Sequence, residues 1–314
     1  MPTVVVRHDL PIAASLEGRR ADLVVKPADT TAETRELLSD ADALVINPSS
    51  WDDGLLDALD EGDWVQTTST GYSAYPLDAF EERKVTLTNA TGNYGSPVSD
   101  HVFALALSLT RGIPTFVDAK RRGEWDRSRG SELIDLEDRT ATVVGLGDIG
   151  ESVVRRARGF GMEVYGTKRR PEEYDSVLPT NRVLAADSLE SVIGETDLLV
   201  LTVPLTEATH HLVDRSTLET LPDSALLINV ARGPVVDQEA LIEALENDRI
   251  AGAGLDVFDE EPLPEDSPLW EFDDVVITPH VGGRSKDFIP RFVNLFLHNY
   301  DRRGTNEPLR NHLV

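Results

Sequence analysis

Short β-branched, apolar runs alternate with amphipathic stretches along the whole of this chain. Thr3 to Val6, Ala43 to Ile46 and Val85 to Thr88 read as short buried strands. Thr31 to Leu38 and Gly54 to Leu59 read as helices between them. Asn89 to Pro97 (NATGNYGSP) is rich in Gly, Asn and Ser, which is loop chemistry and a candidate hinge. A helix from about Val98 to Arg111 follows, with Ser96 as its cap and Pro97 in its first turn. It is apolar nearly all round, which predicts burial, between subunits being one place for it.

A more regular alternation then begins. Thr142 to Val144 reads as a strand, followed by a glycine loop and a helix from Glu151 to Phe160. Strands are expected at Glu163 to Thr167, Leu198 to Val203, Ala225 to Val230, Ala251 to Val257 and Val275 to Thr278. Helices are expected at Leu189 to Ile193, Ser216 to Leu221 and Gln238 to Leu245. Gly282–Gly283 forms a second hinge before a last helix, about Asp287 to Tyr300. Such alternation argues for an α/β fold with parallel sheets covered by helices. Two hinges around a central unit predict a discontinuous arrangement, with residues 1–94 and 285–314 in one domain and 95–284 in the other.

Composition narrows the class. Apolar residues make up 40 % of the 314, enough for ordinary cores. No apolar run is long enough for a membrane span, and the N-terminus lacks the basic and apolar regions of a signal peptide. With no cysteine, disulfides and thiolate chemistry are excluded, and a cytoplasmic location is the expectation. The chain carries 56 Asp and Glu against 30 Lys and Arg, a formal charge of −26. Lysine occurs only at positions 26, 84, 120, 168 and 286. The acids are scattered rather than blocked, which favours adaptation to molar salt over an acidic surface for a basic partner. At that salt the Debye length falls to about 3 Å and surface carboxylates cease to repel one another. The same charge argues against nucleic-acid binding.

Gly145-Leu-Gly147-Asp148-Ile149-Gly150 follows a β-branched strand and opens a helix, the context that gives a glycine pattern meaning. Gly145 permits a tight turn, Gly147 lets backbone approach a pyrophosphate, and Gly150 lets helix and strand pack closely. The following strand ends in Tyr165-Gly-Thr-Lys168-Arg169-Arg170, without the acid that would hold the ribose hydroxyls of NAD. A 2′-phosphate explains the three cations; the alternative is a solvated basic turn.

Chemistry in open α/β sheets sits beyond the carboxyl ends of strands. Arg232 (in INVARGP), Glu261 (in DVFDEEP) and His280 (in ITPHVGG) follow three such ends. A guanidinium binds a carboxylate bidentately and polarises the adjacent carbonyl. An imidazole, with an ordinary pKa of about 6.5, protonates a nascent alkoxide near neutrality, and a carboxylate beside it fixes its orientation. Singly, Arg232 could be an ion-pair residue, Glu261 part of a solvated acidic turn with Asp259 and Glu260, and His280 a structural imidazole. Their joint placement suits hydride transfer to a 2-keto acid. His101, on the apolar helix, is expected to be packed rather than catalytic, and His210 and His211 lack metal-chelating spacing.

The glycine loop, NVARGPVVD, AGAGLDVFDEEPLP and ITPHVGG together resemble the D-isomer-specific 2-hydroxyacid dehydrogenases, over most of the chain and most strongly from about residue 93 onward. The resemblance implies two doubly wound parallel-sheet domains, a Rossmann cofactor domain (95–284) inserted into a flavodoxin-like substrate domain. It implies Arg232 as substrate binder, His280 as acid/base and Glu261 as its partner. It places Asp256 at the nicotinamide carboxamide, adds Val203, Pro204, Gly282 and Gly283 to the cofactor surface, and gives the substrate carboxylate to backbone groups of Thr70 and Gly71. YGTKRRPEE resembles the NADP-using glyoxylate/hydroxypyruvate reductases, so NADP is expected over NAD, with a small 2-keto or 2-hydroxy acid as the other reactant. The helix after Pro97 would form a homodimer contact. The competing reading is a dinucleotide-sensing, corepressor-like binding protein on the same fold.

The charge makes one prediction independent of the chemistry. The melting temperature should rise from low to molar potassium chloride, because the net −26 repels itself less as salt screens it. A melting temperature flat across that range would contradict adaptation to salt.

Overall fold

The computed structural model describes residues 1–125, 127–305 and 307–314. In chain order the first elements are β1 (Thr3–Arg7), α1 (Ile12–Glu17), β2 (Val24–Pro27), α2 (Thr31–Leu38), β3 (Ala43–Ile46), β4 (Trp64–Thr67), α3 (Leu77–Arg83) and β5 (Thr86–Thr88). Next come α4 (Gly95–Thr110), α5 (Ile113–Arg122), β6 (Thr140–Val144), α6 (Asp148–Gly159), β7 (Glu163–Lys168), β8 (Val183–Ala185) and α7 (Glu190–Ile193). The chain closes with β9 (Leu198–Leu201), α8 (Arg215–Thr220), β10 (Leu226–Asn229), α9 (Gln238–Glu246), β11 (Gly252–Leu255), β12 (Val275–Ile277) and α10 (Phe288–Arg302). They gather into two compact units, Met1–Tyr94 with Ser285–Val314, and Gly95–Arg284.

The first unit is a parallel sheet in the order β2-β1-β3-β4-β5. One face of it meets α1 and α10, where Phe292 and Phe296 pack over Val4 and Val6 and Phe296 stacks on Trp64 at 4.7 Å. The other face holds Leu44, Ile46, Val65 and Phe80. β4 (WVQT) has no strand-like alternation, and the pattern of the chain does not predict it. Its Gln66 is buried, donating to Asn89 O at 2.9 Å and accepting from Thr88 Oγ1 at 2.8 Å, so a polar residue is satisfied inside the sheet. The helix expected over Gly54 to Leu59 is instead a 3-10 turn, Asp53–Ala58. The Asp52 carboxylate holds the amide of Gly54 at its start, and the chain is extended again by Leu59.

The second unit is a parallel sheet in the order β12-β11-β10-β9-β6-β7-β8. Read from β8, the chain order runs outward from β6 and reverses between β6 and β9, which is a topological switch point. Two cores cover its faces, one around α8 and α9 and the other around α4 and α6. α4 packs on α6 and β11, and glycine in β11 makes that possible, since a Cβ at Gly254 would lie 2.8 Å from Leu105 Cβ. α4 begins at Gly95, ahead of Ser96. Ser96 is therefore not its cap; the first amide, that of Gly95, donates to the Asp148 carboxylate at 3.0 Å. No single helix among the described residues is long and apolar enough to cross a membrane.

The glycine loop after β6 shows which of its glycines the fold requires. Gly145 has φ +104°, a backbone that side chains rarely adopt. A Cβ on Gly150 would lie 2.1 Å from Gly145 O, whereas one on Gly147 would meet nothing within 4 Å. Gly150→Ala should therefore cost about 1–3 kcal/mol in stability through overpacking, and Gly147→Ala about 0.5 kcal/mol or less. Equal melting temperatures for the two variants would contradict this packing.

Candidate active site

The carboxyl edge of the second unit's sheet gathers the residues with chemistry. At the switch point, the amides of Asp148, Ile149 and Gly150 form the first turn of α6 and have no partner within the helix. Gly147 precedes them, exposed, with open space where a side chain would stand. The Asp148 carboxylate turns to the amide of Gly95 and so leaves those donors to an anion. Thr202 Oγ1 donates to Gly145 O at 2.8 Å and Leu146 N to Thr167 O at 2.9 Å, tying the loop to the strands on either side. Val203, at the end of β9, is half-buried against Gly145, and Pro204 beyond it is exposed. The loop thus suits a pyrophosphate: donors aimed outward, no Cβ in front of them, and a helix N-terminus behind.

At the end of β7 the three cations differ in their ties. Lys168 Nζ donates to Leu146 O at 3.0 Å and stands 5.1 Å from the Tyr174 ring. Arg170 is paired with Glu173 at 2.8 Å. Arg169 is exposed, with no ion-pair partner among the described residues.

The ends of β10, β11 and β12 lie side by side. Arg232 is exposed three residues past β10, its carbonyl accepting from Asn229 Nδ2 at 3.0 Å. The next residue, Gly233, packs against the Phe258–Asp259 backbone so tightly that a Cβ would lie 2.0 Å from Phe258 O. That places the root of Arg232 beside the turn that carries Glu261. Glu261 Oε1 accepts from Phe258 N at 3.2 Å, and Oε2 is 2.7 Å from His280 Nδ1. A carboxylate only accepts, so Nδ1 carries a hydrogen, and Nε2 is the nitrogen left for a reactant. The His280 side chain is 50 % exposed and its Nε2 has no hydrogen bond among the described residues. β10 and β12 are separated by one strand, so Arg232 and His280 rise from backbones about 10 Å apart, a spacing that admits a small acid between them.

Asp256, one residue past β11, is buried, and its side chain is 3 % exposed. Thr278 Oγ1 donates to Oδ1 at 2.6 Å, Val281 N to Oδ1 at 2.9 Å, and Gly282 N to Oδ2 at 2.8 Å. Burial pushes this carboxyl up, but those donors and His101 outweigh it and hold it below the ordinary carboxylate range. His101 is therefore more than a packed imidazole on an apolar helix, a contact across 177 residues that no sequence pattern signals. Gly283 is half-buried beside Gly282. Thr70 and Gly71 belong to the first unit, beyond β4, where Asn89 Nδ2 donates to Thr70 O at 2.9 Å and Gly71 N to Ser69 Oγ at 3.1 Å. Among the described residues no group of three or more His, Asp or Glu could hold a metal ion.

Residues 103–282 match the family model for the D-isomer specific 2-hydroxyacid dehydrogenase, NAD binding domain. Glyoxylate/hydroxypyruvate reductase B of Enterobacter sp. (strain 638) is 35% identical over 263 residues, 82% of this chain and 80% of its own. A D-isomer specific 2-hydroxyacid dehydrogenase family protein from Aeromonas salmonicida has a TM-score of 0.81 at 28% identity, covering 100% of this chain and 99% of that one. A member from Xanthobacter autotrophicus, in complex with NADPH and MES, has a TM-score of 0.78 at 28% identity, covering 100% of this chain and 98% of that one. The chain belongs to the D-isomer specific 2-hydroxyacid dehydrogenase family and is a nicotinamide dinucleotide-dependent oxidoreductase.

Proposed function

We propose that the protein reduces small 2-keto acids to D-2-hydroxy acids with Arg232, Glu261 and His280, and that it prefers NADPH. The observation that carries the catalytic assignment is the His280–Glu261 pair, with Nδ1 spent on the carboxylate and Nε2 left open. The Arg232 guanidinium binds the substrate carboxylate and draws electron density from the neighbouring carbonyl. Bound dinucleotide supplies the hydride. His280, protonated, gives the Nε2 hydrogen to the oxygen that becomes the hydroxyl, and Glu261 stabilises the imidazolium before that transfer. In the oxidative direction His280 takes the proton back. Gly145, Gly147, Asp148, Ile149 and Gly150 would hold the pyrophosphate, with Val203, Pro204, Asp256, Gly282 and Gly283 along the rest of the cofactor.

The NADP preference rests on the exposed, unpaired Arg169 and on Lys168 beside the glycine loop. Arg170 is the weakest of the three candidates because Glu173 already occupies it. Glyoxylate and hydroxypyruvate, named for the Enterobacter relative, are the first substrates to test. Exposed Ile113 and Val117 on α5 and Trp125 just beyond it, 93 % exposed, support a homodimer. A cytoplasmic setting completes the proposal.

His280→Gln should lower turnover by about 10² to 10⁴, the contribution of a general acid. Turnover near that of the unsubstituted enzyme from pH 5 to 9 would remove His280 from the mechanism. For the cofactor, the measurement is kcat/KM with NADPH and NADH at one salt concentration. Arg169→Ala should cut the NADPH preference about ten- to a hundredfold, the worth of a charge-assisted hydrogen bond. Arg170→Ala should change it least, and Lys168→Asp should reverse it by repelling phosphate and accepting ribose hydroxyls. An unchanged ratio in Arg169→Ala and Lys168→Asp would make the basic strand end a solvated turn.

A further inference from the structure

The loop bearing His280 is held in an uncommon shape. His280 has φ +52°, in the left-handed region that residues with side chains seldom occupy. Such a conformation persists where the surroundings over-determine it. Here they converge on Asp256. Its backbone carbonyl accepts from His280 N at 2.9 Å, while its carboxylate takes Thr278 Oγ1 and the amides of Val281 and Gly282. Residues on both sides of His280 are thus fastened to one buried side chain.

One further group closes the cluster from outside the sheet. His101 Nε2, on α4, lies 2.8 Å from Thr278 Oγ1 and 3.4 Å from Asp256 Oδ1. The Thr278 hydroxyl gives its only hydrogen to Asp256, so toward His101 it can only accept, and Nε2 must be the donor. The order is therefore His101 Nε2–H to Thr278 Oγ1–H to Asp256 Oδ1. Little slack remains around it, since a Cβ on Gly282 would lie 2.8 Å from Asp256 Oδ2 and 3.1 Å from His101 Cδ2. A residue that merely filled space on α4 would need no donor at this point.

We propose that His101 is a positioning residue: by donating to Thr278 it locks the hydroxyl onto Asp256, and so holds the His280 loop in the left-handed turn that presents Nδ1 to Glu261. Its catalytic consequence rests on the reading of His280 as the proton donor. The loop is held from a helix, α4, that also takes the Asp148 carboxylate of the glycine loop at its first amide, so one rigid element is tied to both the cofactor loop and the catalytic turn.

The test uses the whole chain and the variants His101→Leu, which removes the donor, and His101→Gln, which keeps one near the place of Nε2. Two readings are taken: amide hydrogen exchange at Val281 and Gly282, and kcat and KM with glyoxylate or hydroxypyruvate. His101→Leu should speed exchange at both amides and lower kcat about ten- to a hundredfold, the scale of a misplaced catalytic group. His101→Gln should return kcat to within about threefold of the parent. Exchange at Val281 and Gly282 unchanged in His101→Leu, or Gln no better than Leu, would overturn the inference. Faster exchange with undiminished kcat would leave the clamp standing and instead overturn His280 as the proton donor. Should His101→Leu fail to fold, Thr278→Val against Thr278→Ser removes and restores the same hydroxyl link, with the same readings deciding.

Discussion

A buried carboxylate at the end of β11 is the constraint on which the carboxyl edge of the second unit's sheet depends. Asp256 has almost no contact with water, and an ionised group so placed is stable only if hydrogen bonds replace its solvation. Its donors come from the segment just past β12, so satisfying the charge and shaping the His280 loop are the same event. Because its folded carboxyl titrates below the ordinary range, the stabilisation is fully present above the unfolded pKa of about 4 and is lost as pH falls through the lower folded value. The Asp256 carboxylate is therefore ionised across the neutral range.

Around that point the parallel sheet supplies registry. β10, β11 and β12 are adjacent, so Arg232, Asp256 and His280 issue from neighbouring strand ends although the chain between them is long. The same sheet reverses its strand order between β6 and β9, which opens the crevice where the glycine loop presents first-turn amides. α4 braces both features, through the Asp148 carboxylate at its start and His101 less than two turns later. The Glu261–His280 pair is half open to water, so its use lies in orientation more than in stability.

Much of this was legible in the chain because period and punctuation carried it. The strand-helix alternation gave the α/β class and most elements of the second unit, where strands are continuous apolar runs. Three of the elements it missed have physical reasons. β2 ends in Lys26-Pro27 at a sheet edge, β4 hides a satisfied Gln66, and α5 is charged and exposed along much of its length. Arg232, Asp256 and His280 are legible because each stands just past the carboxyl end of a strand, and Glu261 because it lies in the turn after β11. The link between His101 and Thr278 is not, because it lies in a contact between distant segments. The partners of Lys168 and Arg170 were equally hidden, since a run of cations does not say which of them is already occupied.

The most direct test of the account is the configuration of the product. The protein would be given NADPH and hydroxypyruvate, and the glycerate formed would be resolved on a chiral column against the NADPH consumed. The account predicts D-glycerate in step with NADPH oxidation. L-glycerate, a racemate, or no turnover with this or any other small 2-keto acid would contradict it.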